Sequence, residues 1–163
     1  MTGTSHEDHV ATVLEQWARE RPDVDVSPMA VIGRLSRVAR RIEARLGENF
    51  AAHGIDAATF DVLATLSRSG APYTLSPKDL VETSMVTSSA IAQRLNKLEG
   101  YGLVERTSNQ HDGRGKLVHL TDAGRTIIDS VLPAHVAVEQ KFLQALSAEQ
   151  QKTLAVLLTA LDH

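Results

Sequence analysis

The sequence predicts a mainly α-helical fold with one small β-hairpin, formed by a single domain. Three observations support this fold class. Along most of the 163 residues, apolar side chains recur at steps of three and four, the spacing of one face of an α-helix. On either side of residue 110, two short runs alternate apolar and polar residues instead, and the Asp112–Gly113 pair between them favours a reverse turn. A chain of this length buries enough surface to fold without a disulfide or a structural metal, and it contains no cysteine.

Two amphipathic helices are predicted in the N-terminal third. The first is short and ends in the charged run RERPDVD. Its apolar stripe consists of Val10, Val13, Leu14 and Trp17. The second is long, because Ser27 and Pro28 suit an N-cap and a first helical position and the pattern continues to Gly54. Its apolar stripe consists of Ile32, Leu35, Ala39, Ile42, Leu46 and Phe50.

The middle of the chain has the element order of a winged helix-turn-helix. Asp56 caps a third helix, AATFDVLATLSRSG, and the segments LSPKDLVETS and TSSAIAQRLNKLEGYG form two more. A hairpin follows, with strands at Leu103–Thr107 and Lys116–Leu120 around the segment SNQHDGRG. A short helix, a turn, a second helix and then a two-stranded hairpin with a long tip is the order of this DNA-binding motif.

Two further helices are predicted after the hairpin. The first begins at Thr121 and is expected to kink at Pro133. Its apolar stripe consists of Ile127, Val131, Val138, Phe142 and Leu146. Ser147 and Gln150 form a capping-box pattern for the last helix. The stripe of that helix consists of Leu154, Leu157, Leu158 and Leu161.

The charge is unevenly distributed along the chain. The formal net charge is −3, but residues 27–120 contain 12 basic and 9 acidic residues, a net charge of +3. Residues 1–26 carry −4 and residues 121–163 carry −2. A polyanion can therefore bind the middle of the chain while the acidic ends serve another purpose.

The sequence argues against several function classes. It has no His-Glu-x-x-His, no phosphate-binding glycine loop and no nucleophile motif, so neither an enzyme nor a cofactor is expected. The segment HEDH at residues 6–9 has a metal-compatible spacing, but it lies in a terminus expected to fray, and no metal site is predicted. The first ten residues lack the pattern of a leader, and no apolar run approaches the roughly 18 residues of a membrane span. A cytoplasmic protein without a membrane partner is expected.

The second helix of the helix-turn-helix carries the features of a DNA-reading surface. Ile91, Leu95 and Leu98 share its inward face, which leaves a polar outer face. The residues expected to contact DNA are Thr87, Ser88, Ser89, Gln93, Asn96 and Lys97. Small side chains at the helix start allow a close approach to phosphate, and the longer ones can reach base edges. Arg114, between two glycines at the hairpin tip, is expected to enter the adjacent minor groove.

Simpler interpretations of the same residues remain open at the level of sequence. A polar helix face can be merely solvated, and an arginine in a loop can merely keep a turn soluble. A winged helix can also serve only protein–protein contacts, although the basic middle segment argues against that alternative.

The segments SSAIAQRLNKLEGYGLVERT and DGRGKLVHLTDAGR, with the long helices on either side, resemble the MarR family of bacterial winged-helix transcription regulators. The wing of that family carries Asp-x-Arg, which is Asp112 and Arg114 here. The resemblance covers nearly the whole chain and implies a homodimer that binds double-stranded DNA at a palindromic operator. Residues 1–53 and 121–163 are then mainly dimerisation helices, and residues 56–120 form the DNA-binding lobe. The apolar stripes at both ends of the chain agree with this division.

The extra N-terminal helix, within LEQWARERPDVDVSPM, is similar to that of the urate-responsive HucR/PecS subgroup. The resemblance implies a repressor released by urate or a related small anion, bound by Trp17, Asp61, Arg94 and Arg106. Part of this set also follows from the residues. Asp61 interrupts the apolar run FDVLATL, so its carboxylate is expected to be partly buried and to need a partner. Trp17 as a core or dimer anchor, and Asp61–Arg94 as a structural ion pair, are the alternatives.

Overall fold

The computed structural model describes residues 8–84, 88–108 and 115–162. The contacts between its residues divide the chain into two compact units, Met1–Ala44 and Arg45–His163. The described ranges contain seven helices and three strands, so the predicted class, mainly α with a small β wing, is confirmed. No helix in these ranges is long and apolar enough to cross a membrane.

The first unit consists of helix α1, His9–Glu20, and the first part of helix α2, which runs from Pro28 to Ala52. Asp8 caps α1, because its carboxylate accepts hydrogen bonds from the backbone N–H groups of Val10 and Ala11. Asp8 also pairs with Arg34 of α2, and the hydrogen bond from Arg34 is the main reason that the pKa of the Asp8 carboxyl is lowered. Val10 is buried where the two helices meet at Gly33. Both predicted helices are therefore present.

The start of α2 differs in one detail from the prediction. Pro28 is the first helical residue, as expected. Ser27, however, uses its hydroxyl and its backbone N–H to bind the carboxylate of Asp25, at 3.1 and 2.9 Å, so the expected capping hydroxyl is engaged elsewhere.

The second unit contains the end of α2 and all the remaining elements. Three helices precede the hairpin: α3 at Ala57–Arg68, α4 at Pro77–Thr83 and α5 at Ser88–Gly100. The strands are β1 at Thr74–Leu75, β2 at Val104–Ser108 and β3 at Lys116–Leu120. Two helices follow, α6 at Asp122–Leu143 and α7 at Ala148–Thr159. The capping box of Ser147 and Gln150 at the start of α7 is present as predicted.

The sheet has three antiparallel strands in the order β1-β3-β2. Ser108 pairs with Lys116 at the far end of the hairpin, and Thr74 pairs with His119 on the other edge of β3. The sequence predicted only the hairpin, so the two-stranded sheet is corrected to three strands. Strand β1 has two residues, which is too short for an alternating pattern to mark it. The predicted hairpin tip, residues 109–114, lies outside the described residues.

The core of the second unit lies beneath α5 and the sheet. The inward face of α5, Ile91, Leu95 and Leu98, is almost completely buried, as its spacing predicted. Side chains from α3, α4, β2, β3 and α6, and from the residue before β2, complete this core: Val62, Leu63, Leu66, Leu80, Leu103, Val104, Val118 and Ile128. At the start of α6, a Cβ atom on Gly124 would lie 2.2 Å from the carbonyl oxygen of Leu103, so this contact needs a glycine. Helix α5 contacts α3, α4 and β2, and its buried face determines which side of the helix is turned outward.

His119 joins all three strands through its imidazole. The Thr74 hydroxyl lies 2.6 Å from Nδ1, and the Thr107 hydroxyl lies 2.7 Å from Nε2. Since the Thr74 hydroxyl donates to the carbonyl of Pro72 at 3.1 Å, its oxygen accepts from Nδ1–H. Nε2 of a neutral ring is then the acceptor for Thr107.

Candidate nucleic-acid interface and effector site

The outer face of α5 is polar and exposed. Gln93 and Asn96 lie opposite the buried stripe and are exposed, as the sequence predicted. Ser88 and Ser89 lie in the first turn of α5, where backbone N–H groups have no acceptor within the helix itself. Thr87 and Arg114 lie outside the described residues. The described part of the predicted DNA surface is thus one helix face, fixed in direction by its buried side.

Lys97 lies on a flank of α5 and not at the centre of the outer face. Its ammonium group is 5.7 Å from the centre of the Tyr101 ring, one helical turn further along. Both side chains line a cavity next to α3 and α6. Lys97 is exposed, as predicted, but its neighbours are the residues of this cavity.

Arg94 binds the carboxylate of Asp56, since its Nη1 donates to Oδ2 of Asp56 at 2.6 Å. The sequence did not point to Asp56 as a partner of Arg94, and the expected pairing of Asp61 with Arg94 stays a prediction. Asp56 also caps α3 by accepting from the Thr59 N–H at 2.8 Å. Asp61 lies further along α3 and is partly buried, as its position in an apolar run predicted. The ion pair thus connects the start of α3 to α5, the recognition helix of the helix-turn-helix.

The environment of Asp56 favours its charged form. Burial by itself raises the pKa of the carboxyl, but hydrogen bonds from the Thr59 N–H and hydroxyl, together with the charge and hydrogen bond of Arg94, outweigh it and lower the pKa. Asp56 therefore remains a carboxylate at neutral pH, ready to pair with Arg94.

Arg106, on β2, binds Glu99 near the end of α5. Its Nε donates to Oε2 of Glu99 at 2.8 Å, and its Nη2 donates to the same oxygen. The hydrogen bond from Arg106 is the main cause of the lowered pKa of Glu99, and the same bond raises the pKa of Arg106. Nothing in the sequence around Glu99 indicates that it binds Arg106. The recognition helix is thus tied at Arg94 to α3 and at Glu99 to the sheet.

Trp17 lies on α1 in the first unit, and its side chain is 42% exposed. Asp61, Arg94 and Arg106 lie in the second unit. Within that unit, Arg94 and Arg106 have separate carboxylate partners, Asp56 and Glu99. The Trp17, Asp61, Arg94 and Arg106 set therefore stays a prediction.

A cavity of about 540 Å³ opens between the end of α2, the start of α3, and helices α5 and α6. Its polar lining comes from His53, Asp56, Thr59, Lys97 and Tyr101. Its apolar lining comes from Ile55, Leu103 and Ile127. The residues come from three helices, α3, α5 and α6, and from the segments that follow α2 and α5, so a local sequence pattern could not have revealed the cavity.

Comparisons with known proteins agree with this geometry. A model of the MarR family matches residues 53–115. The HTH-type transcriptional regulator PecS of Dickeya dadantii (strain 3937) is 41% identical over 149 residues, which cover 91% of this chain and 90% of PecS. A mutant MarR from E. coli complexed with operator DNA is 27% identical, with a TM-score of 0.73 over 84% of this chain and 95% of that one.

A third relative is BpsR of Bordetella bronchiseptica, whose structure concerns regulation of DNA binding by 6-hydroxynicotinic acid. It is 23% identical, with a TM-score of 0.73 over 81% of this chain and 92% of that one. At this identity, the similarity shows that the two proteins share a fold. Regulators of this kind control transcription and are not enzymes, as the sequence predicted. The match to the family model and the similarity to PecS along almost the entire length show the family, and the winged helix with its exposed polar face on α5 is consistent with it. The chain belongs to the MarR family of DNA-binding transcriptional regulators.

Proposed function

We propose that the protein is a ligand-responsive repressor that binds a palindromic operator as a homodimer and is released by a small anionic aromatic ligand such as urate. The observation that carries the DNA-binding part is the exposed polar face of α5 opposite its buried stripe. In this proposal α5 lies in the major groove, with the wing beside it. The base-reading candidates are Gln93 and Asn96. The residues that contact phosphate or the minor groove are Thr87, Ser88, Ser89, Lys97 and Arg114.

The exposed apolar side chains of both units support the homodimer. In the second unit, five of them lie on or just after α7: Leu154, Val156, Leu157, Leu158 and Leu161. In the first unit, they lie mainly on α2: Met29, Val31, Ile32, Leu35 and Val38. Apolar surface of this extent is a feature of protein interfaces. Residues 1–53 and 121–163 thus act mainly in dimerisation and residues 56–120 bind DNA, and the two-fold symmetry of a homodimer matches a palindrome.

The ion pair of Arg94 supports the response to an anion. A planar anion can bind an arginine through its oxygen edge and stack on a tryptophan, which gives roles to Arg94, Arg106 and Trp17. Such an anion competes with the carboxylate partner of Arg94, and Arg94 lies on the recognition helix. BpsR, whose DNA binding responds to 6-hydroxynicotinic acid, gives a precedent for an effector of this kind on the same fold. Since its target is DNA, we place the protein in the cytoplasm.

The DNA-binding part is tested with the wild type, Gln93→Ala and a matched control, Gln16→Ala, an exposed glutamine on α1. The ligand is a palindrome from the DNA that flanks the protein's own gene. Loss of a base contact should weaken operator binding by about 1–3 kcal/mol and relax the base preference at one position. Fluorescence anisotropy at fixed salt measures both the operator affinity and the base preference. Equal operator affinity of all three proteins would show that Gln93 does not read a base, and no binding to any palindrome would favour a protein-interaction module.

The effector part is tested by titrating urate and xanthine against the operator complex. The proteins are the wild type, Trp17→Phe and Arg94→Ala. Release requires tighter binding of the ligand to the DNA-free form, and a tenfold loss of operator affinity needs about 1.4 kcal/mol of coupling. We expect release of the wild type and a weaker response of both variants. Unchanged wild-type binding up to millimolar purine rejects the purine, and an equal response of all three proteins rejects Trp17 and Arg94.

A further inference from the structure

Helix α2 carries the whole positive excess of the basic middle of the chain. Residues 27–120 contain 12 basic and 9 acidic residues, and α2 accounts for five of the basic and two of the acidic ones. The rest of that segment, which includes the recognition helix α5, has seven of each and therefore no net charge. The net positive charge that attracts a polyanion thus lies on α2 and not on the lobe that contains α5.

Three arginines of α2 share one face of the helix. Arg34, Arg37 and Arg41 are exposed, and the helical repeat places them within an arc of roughly 60°. They lie in the first unit, where they line a surface groove of about 250 Å³ together with Asp8, His9, Val10 and Val38. We call Arg34, Arg37 and Arg41 the arginine face. By the same repeat, Leu35 and Ile42 lie on a different side of α2, so burial of the apolar stripe in a dimer does not by itself bury these arginines.

Two of the three arginines are available to bind an anion. Arg34 pairs with Asp8 and also donates to the carbonyl of Ala30 in its own helix at 2.8 Å. In the part of the chain that the structure describes, Arg37 and Arg41 have no carboxylate partner and donate no hydrogen bond. Since Arg34 offsets the charge of Asp8, the groove keeps a charge of +2 when His9 is neutral.

The arrangement fits the phosphate backbone of a DNA duplex. A guanidinium group can bind two phosphate oxygens at once, and the charged residues of α2 include five arginines and no lysine. Arg34 and Arg41 are seven residues apart, about 10 Å along the helix axis, which spans roughly three phosphates of one strand. None of the described residues that line the groove is Phe, Tyr or Trp, so an unstacked base of a single strand finds none of these rings there.

We propose that the arginine face of α2 is a second DNA-binding surface, which binds the phosphate backbone of a duplex without reading its sequence. Arg37 and Arg41 contact phosphates, and Arg34 neutralises Asp8, whose charge would repel them. The recognition helix selects the operator, and the arginine face adds affinity that is independent of sequence and is weakened by salt. The inference goes beyond the proposed repressor function, since it requires neither an operator nor an effector.

The test measures the binding of a fluorescein-labelled duplex of random sequence to the full-length protein at several KCl concentrations. Each phosphate contact contributes about −0.9 to the slope of log affinity against log salt concentration. The double variant Arg37→Gln and Arg41→Gln should therefore reduce the slope by about 1.8 for each face that holds DNA. Lysine at both positions keeps the charges and should retain the wild-type slope. Arg19→Gln, which removes an exposed arginine from the last turn of α1, should retain it as well.

A cleavage experiment locates the bound duplex. The chain contains no cysteine, so Ala44→Cys, an exposed position near Arg37 and Arg41 on the helical repeat, takes a single DNA-cleaving iron chelate. We expect cutting of the random duplex from position 44. The same label on Ala18→Cys, an exposed position of α1, is the control and should cut less.

Four results overturn the proposal. They are an unchanged salt slope in the double glutamine variant, an equal loss of slope in Arg19→Gln, no cutting from position 44, and dissociation of the double glutamine variant to monomers in sedimentation. The last result would assign Arg37 and Arg41 to a subunit interface. Because the duplex contains no operator, each failure leaves the proposed repressor function standing. A wild type that binds no palindrome specifically likewise leaves the arginine face standing as a DNA-binding surface.

Discussion

Asp56 has two roles that a single carboxylate can fill because it has two oxygens. Oδ1 accepts from the Thr59 N–H and caps α3, and Oδ2 accepts from Arg94 of the recognition helix. The first role was predicted from the residue type and its position before an apolar run. The second joins residues 38 positions apart, and no local pattern encodes a partner at that distance. A substitution at this position therefore affects both helix stability and the position of Arg94.

The two roles can be separated by two variants. Asp56→Ala removes the cap and the ion pair, and it should lower the free energy of unfolding by about 0.5–2 kcal/mol. Asp56→Asn keeps a capping oxygen and loses the charge, so its loss should be smaller because the ion pair is partly exposed. Urea denaturation at pH 7 measures both. A larger loss in Asp56→Asn than in Asp56→Ala would contradict the assignment of the cap.

The same pair predicts a pH dependence. Because the folded protein lowers the pKa of Asp56 below its usual value of 3.8, the associated stability is present above that value and is lost as the pH falls through the folded pKa. The advantage of the wild type over Asp56→Asn should therefore be constant between about pH 5 and pH 7. It should shrink below about pH 4. An advantage that grows on acidification would contradict this sign.

The elements around α5 depend on one close contact between helix and strand. The first turn of α6 packs against the start of β2, where a Cβ atom on Gly124 would lie 2.2 Å from the Leu103 carbonyl oxygen. Backbone on one side of the contact cannot move aside as a flexible side chain can. Gly47, within α2, offers a matched comparison, because a Cβ atom there would have no described atom outside its own stretch of helix within 4 Å.

Gly124→Ala and Gly47→Ala should change stability in opposite directions. Gly124→Ala forces α6 away from β2 and should cost about 1–3 kcal/mol, as overpacking does. Gly47→Ala should stabilise the protein by about 0.5–1 kcal/mol, because alanine loses less backbone entropy in a helix than glycine. Thermal unfolding of both variants gives the comparison. A neutral Gly124→Ala variant would contradict the close packing of α6 on β2.

The sequence predicted helices better than tertiary contacts. The spacing of Ile91, Leu95 and Leu98 was sufficient to predict both α5 and its outer face, because a helix places every third and fourth residue on one side. Strand β1 was missed, since two residues cannot show alternation. Glu99 was missed for a different reason: its partner, Arg106, follows a turn whose geometry decides the contact. Contacts that depend on how elements pack cannot be predicted from the apolar spacing within one element.

At the scale of the whole molecule, the exposed apolar side chains of α2, α6 and α7 form surface that a partner can bury. Leu157 and Val156 are 58% and 64% exposed in the single chain. A second copy of the chain can bury such residues, and folding is then linked to association. The net charge of −3 is small, so charge repulsion between two copies is weak.

Truncations test this linkage. Deleting residues 1–20 should weaken the dimer, and deleting residues 147–163 should prevent soluble folding, because the second removes the whole of α7. Sedimentation velocity at micromolar concentration measures association, and circular dichroism measures folding. A wild-type protein that is monomeric and stably folded under these conditions would exclude an obligate dimer.

The position of β3 between β1 and β2 also has a consequence for how the chain folds. Thr74 and His119 pair across 45 residues, and the segment between them contains α4, α5 and β2. The sheet therefore closes a long loop around the recognition helix, and the entropic cost of this closure is offset only when the enclosed helices pack. A ribosome must complete the chain beyond residue 120 before β1 finds its partner. The helix-turn-helix and its wing should therefore fold in one cooperative step, and a fragment that ends after β2 should lack both.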